Sequence, residues 1–296
     1  MAPQPSRGLM HTVRPDYPPL HAFEFGTGDH PRRPLVLFVG GLGDTLLSTP
    51  YLPKLATALE AHGWRLAQAR PTSAGMSWGG CSVEQDAREI ALCTEYFRQQ
   101  GADKIVLMGS STGCQDAVAY HHASPDFVPL AGVVLQAPVS DREIEQVQAL
   151  LKKHADDGID YSKPDQQSFV PQAWSKFWHC TSGLTYARWR SLVEKPTSDA
   201  IDLAVSEDFF SSDLSDARLR NAFAPVTCPV MIALGTEDAS YPPHVKADLP
   251  ALLERFKKAA PTLSSSMIID GATHTLGDGK HADEFVEQVV KFVGGL

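Results

Sequence analysis

Short apolar runs alternate along this chain with segments in which apolar residues recur every three or four positions. Residues 35–39 are apolar throughout, which is typical of a strand buried on both faces of a sheet. Over residues 83–99, in contrast, Val83, Ala87 and Ile90 share one helical face. This alternation predicts an α/β fold in which helices cover both faces of a mostly parallel sheet.

The pattern predicts eight strands, and the first two form an antiparallel hairpin at one edge of the sheet. The predicted strands are 9–13, 20–25, 35–39, 65–69, 104–108, 132–136, 230–234 and 266–269. The predicted helices are 50–63, 83–99, 112–122, 244–259 and 281–293.

The alternation fails in the long connection between the strands predicted at 132–136 and 230–234. A connection of this length normally has a fold of its own. We therefore predict a core domain of residues 1–140 and 227–296, into which residues 141–226 are inserted as a helical lid. Asp213 is the predicted N-cap of a helix within this insertion. Its aromatic residues either line a substrate site or form the core of a packing subdomain: Phe169, Trp174, Phe177, Trp178, Tyr186 and Trp189.

One short motif carries candidate chemistry. The sequence Gly-Ser-Ser-Thr-Gly, residues 109–113, connects a predicted strand to a predicted helix, which is the context of a nucleophile elbow. Such a tight turn requires small residues two positions before and two positions after the nucleophile, and Gly109 and Gly113 meet this requirement. The motif predicts Ser111 as a catalytic nucleophile.

A serine nucleophile needs a base that accepts its proton. In α/β hydrolases the serine is followed in the chain by an acid after a late strand and a histidine after the last strand. Asp238 and His274 occupy these two places. We predict His274 as the base and Asp238 as the acid that orients it, with Glu237 and Asp270 as alternative acids because they lie close by in the chain.

The oxyanion that forms during attack on a carbonyl needs backbone N–H donors. The N–H of Thr112, directly after the nucleophile, is one predicted donor. The second is expected from the glycine-rich loop after strand 35–39, where Leu42 is the first choice and Gly41 the next. The alternative is that the glycines of this loop only permit a tight turn.

Two further residues lie in loops at predicted strand ends, where ligands bind in open α/β sheets. We predict that Asp44, Trp78 and Gly41 contact the substrate. The alternative is that Asp44 is only a turn residue and that Trp78 only anchors the packing. Leu46 stands where the third glycine of a dinucleotide-binding motif would be required. No cofactor is therefore predicted.

Composition narrows the classes of partner. The chain of 296 residues has a formal charge of −9 and no basic stripe, which argues against binding to nucleic acid. Its apolar runs are shorter than the roughly 20 residues of a membrane span. The five cysteines are odd in number and form no C-x-x-C pair, so neither a disulfide framework nor a metal site is predicted. The first residues lack the apolar core of a secretory signal, and we expect a cytoplasmic protein.

Four segments together resemble a known family. They are FVGGLGD (38–44), GSSTGCQD (109–116), FSSD (210–213) and GATH (271–274). They are similar to a fungal and plant α/β-hydrolase family, long filed as a domain of unknown function, that includes the esterase that opens fusarinine-type siderophores. The resemblance implies an α/β-hydrolase fold and the same catalytic serine, acid and histidine.

These features favour a serine hydrolase that cleaves an ester or lactone of a small molecule held beneath the aromatic lid. A second hypothesis keeps the three catalytic residues but assigns them to a biosynthetic step such as acyl transfer, dehydration or cyclisation. A third hypothesis is a ligand-binding descendant without activity. The presence of Ser111, Asp238 and His274 in order argues against this third class.

Overall fold

A computed structural model describes residues 5–178 and 180–296, so residues 1–4 of the predicted core and His179 of the predicted lid lie outside the described residues. The strands are β1 (Gly8–Arg14), β2 (Leu20–Phe25), β3 (Leu35–Val39), β4 (Arg65–Arg70), β5 (Ile105–Ser110), β6 (Gly132–Gln136), β7 (Val230–Gly235) and β8 (Leu263–Ile269). They form one sheet in the order β1-β2-β4-β3-β5-β6-β7-β8. Pairing is antiparallel from β1 to β2 and from β2 to β4, and parallel elsewhere. The predicted eight-stranded sheet and its edge hairpin are confirmed.

The central strands are almost entirely apolar because both faces of the sheet are covered. Every residue of β3, β5, β6 and β7 is buried. Successive side chains of a strand point to opposite faces. Leu35 and Leu37 accordingly join the core on one face, whereas Val36 and Phe38 join the core on the other.

Most of the helices pack on one or the other of these two faces of the sheet. They are α1 (Leu52–Ala61), α2 (Val83–Gln99), α3 (Thr112–Ala123), α4 (Glu145–Asp156), α5 (Gln172–Ser175), α6 (Tyr186–Val193), α7 (Asp216–Phe223), α8 (Pro243–Lys246), α9 (Leu249–Ala259) and α10 (Lys280–Gly294). Side chains of α1 and α10 enter one core, and those of α2, α3 and α9 enter the other. Among the described residues, no helix is both long and apolar enough to cross a membrane.

Helix boundaries follow local capping chemistry. The helix predicted at 83–99 has these bounds in the structure, and the Ser82 side chain accepts the Gln85 N–H at its start. The single helix predicted at 244–259 is wrong, because the structure has α8 and α9 instead. The side chain of Asp248 caps the second of these by accepting the Ala251 N–H at 3.1 Å. Pro250, which has no N–H to donate, fits the first turn of the new helix.

The residues of the predicted insertion pack in two different ways. Residues of α4 and α6 form a separate apolar cluster with Trp78, which precedes α2, and Trp189 is fully buried within it. Most of the predicted aromatic residues belong to this cluster, although Phe169 is 63% exposed. Phe210 and Phe223, later in the insertion, join the core on one face of the sheet. The aromatic residues of the insertion therefore act largely as packing groups, and the lid domain with its predicted boundaries stays a prediction.

The predicted N-cap at Asp213 is wrong. Helix α7 begins at Asp216, and the Ser215 side chain accepts the Arg218 N–H at 2.9 Å. The Asp213 carboxylate instead binds the side chains of Arg142 and Lys195. Two cationic partners thus hold the aspartate, and the serine nearer the helix takes the capping role.

Candidate active site

Ser111 lies in the tight turn between β5 and α3. Its backbone has φ +55° and ψ −124°, a strained conformation for a residue with a side chain. A Cβ at Gly109 would lie 2.0 Å from the Gly113 carbonyl oxygen, and a Cβ at Gly113 would lie 2.3 Å from the Val39 carbonyl oxygen. Only glycine fits at either position, as the sequence predicts for a nucleophile elbow.

His274 and Asp238 form a close pair across two loops. The Nδ1 atom of His274 lies 2.8 Å from Asp238 Oδ2, and the Asp238 residue is 0% exposed. The Ser240 N–H donates to the other Asp238 oxygen at 2.8 Å. Glu237 is exposed, and the exposed Asp270 accepts the Thr236 hydroxyl at 3.3 Å. Of the three predicted alternatives, only Asp238 contacts the histidine.

The surroundings of His274 favour its protonated form. Burial lowers the pKa of this imidazole, but the hydrogen bond and the negative charge of Asp238 outweigh burial. The charges of Asp141 and Asp44 act in the same direction, so the pKa of His274 is raised above its ordinary value. The site thus stabilises the imidazolium that forms when the histidine accepts a proton.

Ser111 and His274 open onto one pocket of about 160 Å³. Its lining is Gly41, Leu42, Asp44, Ser48, Thr49, Pro50, Ser110, Ser111, His274 and Thr275. Within the described residues, Ser111 Oγ makes no hydrogen bond. Hydrogen bonds between a nucleophile and its base often tighten only when substrate binds. The pocket therefore brings both side chains to a common space.

The loop after β3 lies against the nucleophile. A Cβ at Gly41 would lie 2.7 Å from the Ser111 Cβ, so the close approach requires glycine. The Gly41 N–H donates to Asp44 Oδ2 at 2.8 Å and is already satisfied. For the Leu42 N–H no acceptor is found in the described part of the chain. The Thr112 N–H is also free of any helical acceptor, because Thr112 is the first residue of α3.

The remaining predicted contact residues occupy different environments. Asp44 lines the pocket and also closes its own loop, since its carboxylate accepts the Gly41 N–H and the Ser48 hydroxyl. Trp78 is 2% exposed, packs edge-on against Trp178 with ring centroids 5.9 Å apart, and does not line the 160 Å³ pocket. The turn and packing alternatives thus describe the observed contacts, and substrate contact by either residue stays a prediction.

Gln136, at the end of β6, is a residue that sequence reasoning missed. Its Nε2 donates to the His274 carbonyl oxygen at 2.9 Å, and its Oε1 accepts the Ser110 hydroxyl at 2.5 Å. Its backbone carbonyl accepts the Ser111 N–H at 3.0 Å. One side chain thus ties the elbow to the histidine loop. The available signal was a polar residue at the carboxyl end of an otherwise apolar strand.

A second group that the sequence did not reveal is a buried ion cluster around Arg188 of α6. Its guanidinium donates to Glu207, and each of these two side chains is 2% exposed. Asp86 of α2 and Asp116 of α3 are 2% and 3% exposed and lie near the same guanidinium. Burial raises the pKa of Asp86 to about 6 and that of Glu207 to about 7. Four separate segments supply these charges, so no local pattern predicts the cluster.

Removing the cation of this cluster should destabilise the fold. We expect Arg188→Met to lower the free energy of unfolding by about 3–5 kcal/mol, because Glu207, Asp86 and Asp116 are left buried without a partner. The control is Arg190→Met on the same helix. The partly exposed ion pair of Arg190 with Glu194 is worth about 0–1 kcal/mol. Chemical denaturation of both variants measures the difference, and equal losses would contradict the assigned role of Arg188.

Comparison with known proteins identifies the family of this chain. The sequence profile described as "Protein of unknown function (DUF1749)" matches residues 1–294. A UPF0613 protein of Schizosaccharomyces pombe is 34% identical in an alignment that covers 83% of this chain and 81% of that protein. Fusarinine C esterase sidJ of Aspergillus fumigatus is 31% identical in an alignment that covers 94% of this chain and 92% of that protein.

Solved structures agree on the fold. Siderophore hydrolase EstB from Aspergillus fumigatus superimposes with a TM-score of 0.78 at 28% identity, covering 100% of this chain and 99% of that chain. An α/β-hydrolase-fold protein of unknown function has a TM-score of 0.66 at 19% identity over 99% of this chain and 97% of that chain. The predicted resemblance is confirmed. The chain has the α/β-hydrolase fold and belongs to the DUF1749 family, whose sequence profile matches nearly its whole length.

Proposed function

We propose that this protein is a serine hydrolase that cleaves an ester or lactone through an acyl-enzyme on Ser111. The observation that carries the proposal is the buried Asp238 bound to His274, whose ring opens onto the same pocket as the elbow serine. The names of the fungal relatives, an esterase and a siderophore hydrolase, support the same class of reaction.

In the first half of the reaction, His274 accepts the Ser111 proton on Nε2 as Ser111 Oγ bonds to the substrate carbonyl carbon. The carbonyl oxygen becomes an oxyanion, which accepts hydrogen bonds from the N–H groups of Leu42 and Thr112. The bond to the leaving alcohol then breaks, and His274 returns the proton to that alcohol. Water attacks the acyl-enzyme with His274 again as base, and the free acid leaves.

The contact between Asp238 and His274 supports this division of roles. An ionised carboxylate only accepts hydrogen bonds, so the Nδ1 atom of His274 carries a hydrogen toward Asp238. The other ring nitrogen, Nε2, is then unprotonated and able to act as the base. The acid orients the ring and stabilises its charged form without taking the proton itself.

The names of the relatives indicate only the general class of substrate. One of the two Aspergillus fumigatus relatives is named as an esterase of fusarinine C, and the other is named as a siderophore hydrolase. We propose that this chain acts on an ester of the same general kind, a siderophore-type or other secondary-metabolite ester, in the cytoplasm. The pocket of about 160 Å³ receives the part of the substrate beside the scissile bond.

A substrate panel tests the proposed reaction. Oxygen esters and lactones should be hydrolysed faster than amides of the same acyl group, because an alcohol leaves more readily than an amine, and the product should be the free acid. Adding an alcohol or amine acceptor distinguishes hydrolysis from acyl transfer. Products that contain mainly the acceptor would contradict hydrolysis and favour the biosynthetic alternative.

The raised pKa of His274 predicts the pH dependence. His274 must be neutral to act as a base, so kcat/KM for an uncharged ester should rise with pH through a pKa above the ordinary histidine value. Replacing Asp238 by Asn removes the charge that raises this pKa, and the residual activity should have its midpoint at lower pH. A pH–rate profile of both proteins measures the shift, and an unchanged midpoint would contradict the role of Asp238.

A further inference from the structure

We propose that the side-chain hydroxyl of Thr112 is a catalytic group, a third hydrogen-bond donor to the oxyanion beside the backbone N–H groups of Leu42 and of Thr112 itself. The inference rests on the proposed serine hydrolase and adds a residue to its mechanism. Any amino acid except proline could supply the backbone N–H at position 112, so a contribution from the side chain gives threonine a role of its own there.

The Thr112 hydroxyl is buried and has no hydrogen-bond partner. The residue is 5% exposed, and within residues 5–178 and 180–296 no protein atom forms a hydrogen bond with its Oγ1 atom. A threonine inside a helix can donate to the backbone carbonyl one turn earlier. Thr112 is the first residue of α3, and Met108, four positions before it, lies in β5, so that turn does not exist here. The hydroxyl therefore keeps a hydrogen that it can donate to a bound group.

Thr112 meets the loop after β3 beside the reactive pocket. Thr112 and Leu42 both line a cavity of about 20 Å³. Leu42 also lines the pocket onto which Ser111 and His274 open. The residue with the unpartnered hydroxyl thus directly follows the nucleophile and borders the same small space as the loop that supplies the other proposed N–H donor.

The stereochemistry of threonine allows its N–H and its hydroxyl to bind one acceptor together. The backbone nitrogen and Oγ1 are separated by Cα and Cβ, and two of the three staggered χ1 rotamers place them gauche to each other. In that arrangement both hydrogens can point to the same oxygen atom. An oxyanion held by the Thr112 N–H is therefore within reach of the Thr112 hydroxyl as well.

Two carboxyl groups on the same cavity are the competing acceptors for this hydroxyl. Asp86 and Asp116 also line the cavity, yet neither accepts a hydrogen bond from Thr112 in the described part of the chain. Burial raises the pKa of both groups, to about 6 for Asp86, and this disfavours their charged form. The remaining alternative is that the hydroxyl binds only a buried water molecule, and the experiments distinguish this water from the oxyanion.

The hydroxyl acts when the tetrahedral intermediate forms. Ser111 Oγ bonds to the carbonyl carbon, its proton passes to His274 Nε2, and the π electrons of the carbonyl move to the oxygen, which becomes negative. A hydrogen bond to this charged oxygen is about twice as strong as one to a neutral oxygen. Thr112 keeps its own proton throughout. Because the gain is made mainly in the transition state, it raises kcat more than it lowers KM.

Two matched pairs of residues at position 112 test the inference. Thr112→Val replaces the hydroxyl of the wild-type residue by a methyl of similar size, and Thr112→Ala differs from Thr112→Ser by the oxygen alone. Each member without the hydroxyl should have a kcat for a phenyl ester about 100-fold below that of its partner, the scale of one oxyanion donor. KM should change much less. Equal kcat values within both pairs would show that the hydroxyl binds only water and would overturn the proposal.

A transition-state analogue separates catalysis from packing. The carbonyl of a trifluoromethyl ketone adds Ser111 Oγ and becomes an oxyanion, whereas the corresponding alcohol binds without forming one. Thr112→Val should weaken binding of the ketone by the factor by which it lowers kcat, and should leave the affinity for the alcohol unchanged. Equal changes for both inhibitors, including no change, would overturn the catalytic role. Where Thr112→Val does not fold, the comparison of Thr112→Ala with Thr112→Ser decides.

Thr94→Val is the control for the removal of a buried hydroxyl. Thr94 of α2 is fully buried, and its hydroxyl donates to the Ala91 carbonyl oxygen at 2.9 Å. This variant should keep the wild-type kcat and the wild-type affinity for the ketone. A loss of kcat as large as that of Thr112→Val would show that removing a buried hydroxyl acts through stability, and would overturn the assignment to Thr112.

The hydroxyl and the proposed function fail in different ways. Ester hydrolysis by the wild-type protein with equal kcat values within both pairs would refute the role of the Thr112 hydroxyl and leave the serine hydrolase intact. Absence of turnover for every ester, together with absence of phosphonate labelling at Ser111, would refute the hydrolase and the inference with it.

Discussion

Replacing Ser111 by alanine should lower kcat for ester hydrolysis by about a millionfold, the scale on which loss of the nucleophile disables a catalytic triad. The alanine has no oxygen that can bond to the carbonyl carbon, so no acyl-enzyme forms. The N–H groups of Leu42 and Thr112, which we propose as oxyanion donors, stay in place, and a small residual rate above that of water is expected from them. Steady-state kinetics on a phenyl ester, combined with the melting temperature of each protein, measures the effect.

Labelling with a serine-reactive phosphonate tests directly whether Ser111 forms a covalent bond. It should label the wild-type protein once, at Ser111, and should not label Ser111→Ala. Ser110→Ala should still be labelled at Ser111, because the Ser110 hydroxyl is buried and already donates to Gln136. Labelling of the Ser111→Ala protein would remove Ser111 from the mechanism.

Local sequence was sufficient for the parts of this fold in which one segment determines the result. The apolar runs predicted the central strands, because both faces of the sheet are covered there and most residues of these strands must be apolar. The glycines at 109 and 113 predicted the elbow because the tight turn itself requires small residues at both positions, although the contact that excludes a Cβ at Gly113 comes from Val39 of β3. Helix 83–99 was predicted well because its own residues carry its apolar face and its cap, Ser82, directly precedes it.

The errors and omissions have a different origin. The helix predicted at 244–259 divides because the Asp248 side chain accepts a backbone N–H and so caps a new helix. The spacing of apolar residues does not show this cap. The choice between Asp238 and Glu237 depends on which side chain is buried toward His274, and adjacent residues look alike in sequence. Gln136 contacts groups that are far away in the chain, so its role becomes visible only when the strands are assembled.

The buried charges around Arg188 show the same limit more strongly. Sequence patterns identify such residues as solvated charges, because isolated carboxylates and guanidinium groups are rarely buried. Here helices α2, α3 and α6 bring opposite charges together in one interior space. A pattern that depends on three helices meeting is a property of the tertiary structure.

The second large effect is expected at Asp238. Asp238→Asn should lower kcat by about ten-thousandfold, because the amide no longer holds His274 with Nδ1 protonated and no longer stabilises the imidazolium. Asn differs from Asp by one atom, so the packing of the buried residue is preserved. The Ser240 N–H still has an oxygen acceptor in the favourable orientation of the amide. Stopped assays at saturating ester measure kcat, and KM should change much less.

Glu237→Gln is the matched control for this result. It removes the same charge from the adjacent residue, but the Glu237 side chain is exposed, whereas the Asp238 side chain contacts His274. We therefore expect kcat of Glu237→Gln to stay close to the wild-type value. A large loss in Glu237→Gln with a small loss in Asp238→Asn would assign the acid to Glu237 and would require the loop after β7 to rearrange when substrate binds. Large losses in both variants would instead indicate that the negative charge of the loop as a whole, rather than one hydrogen bond, sustains the base.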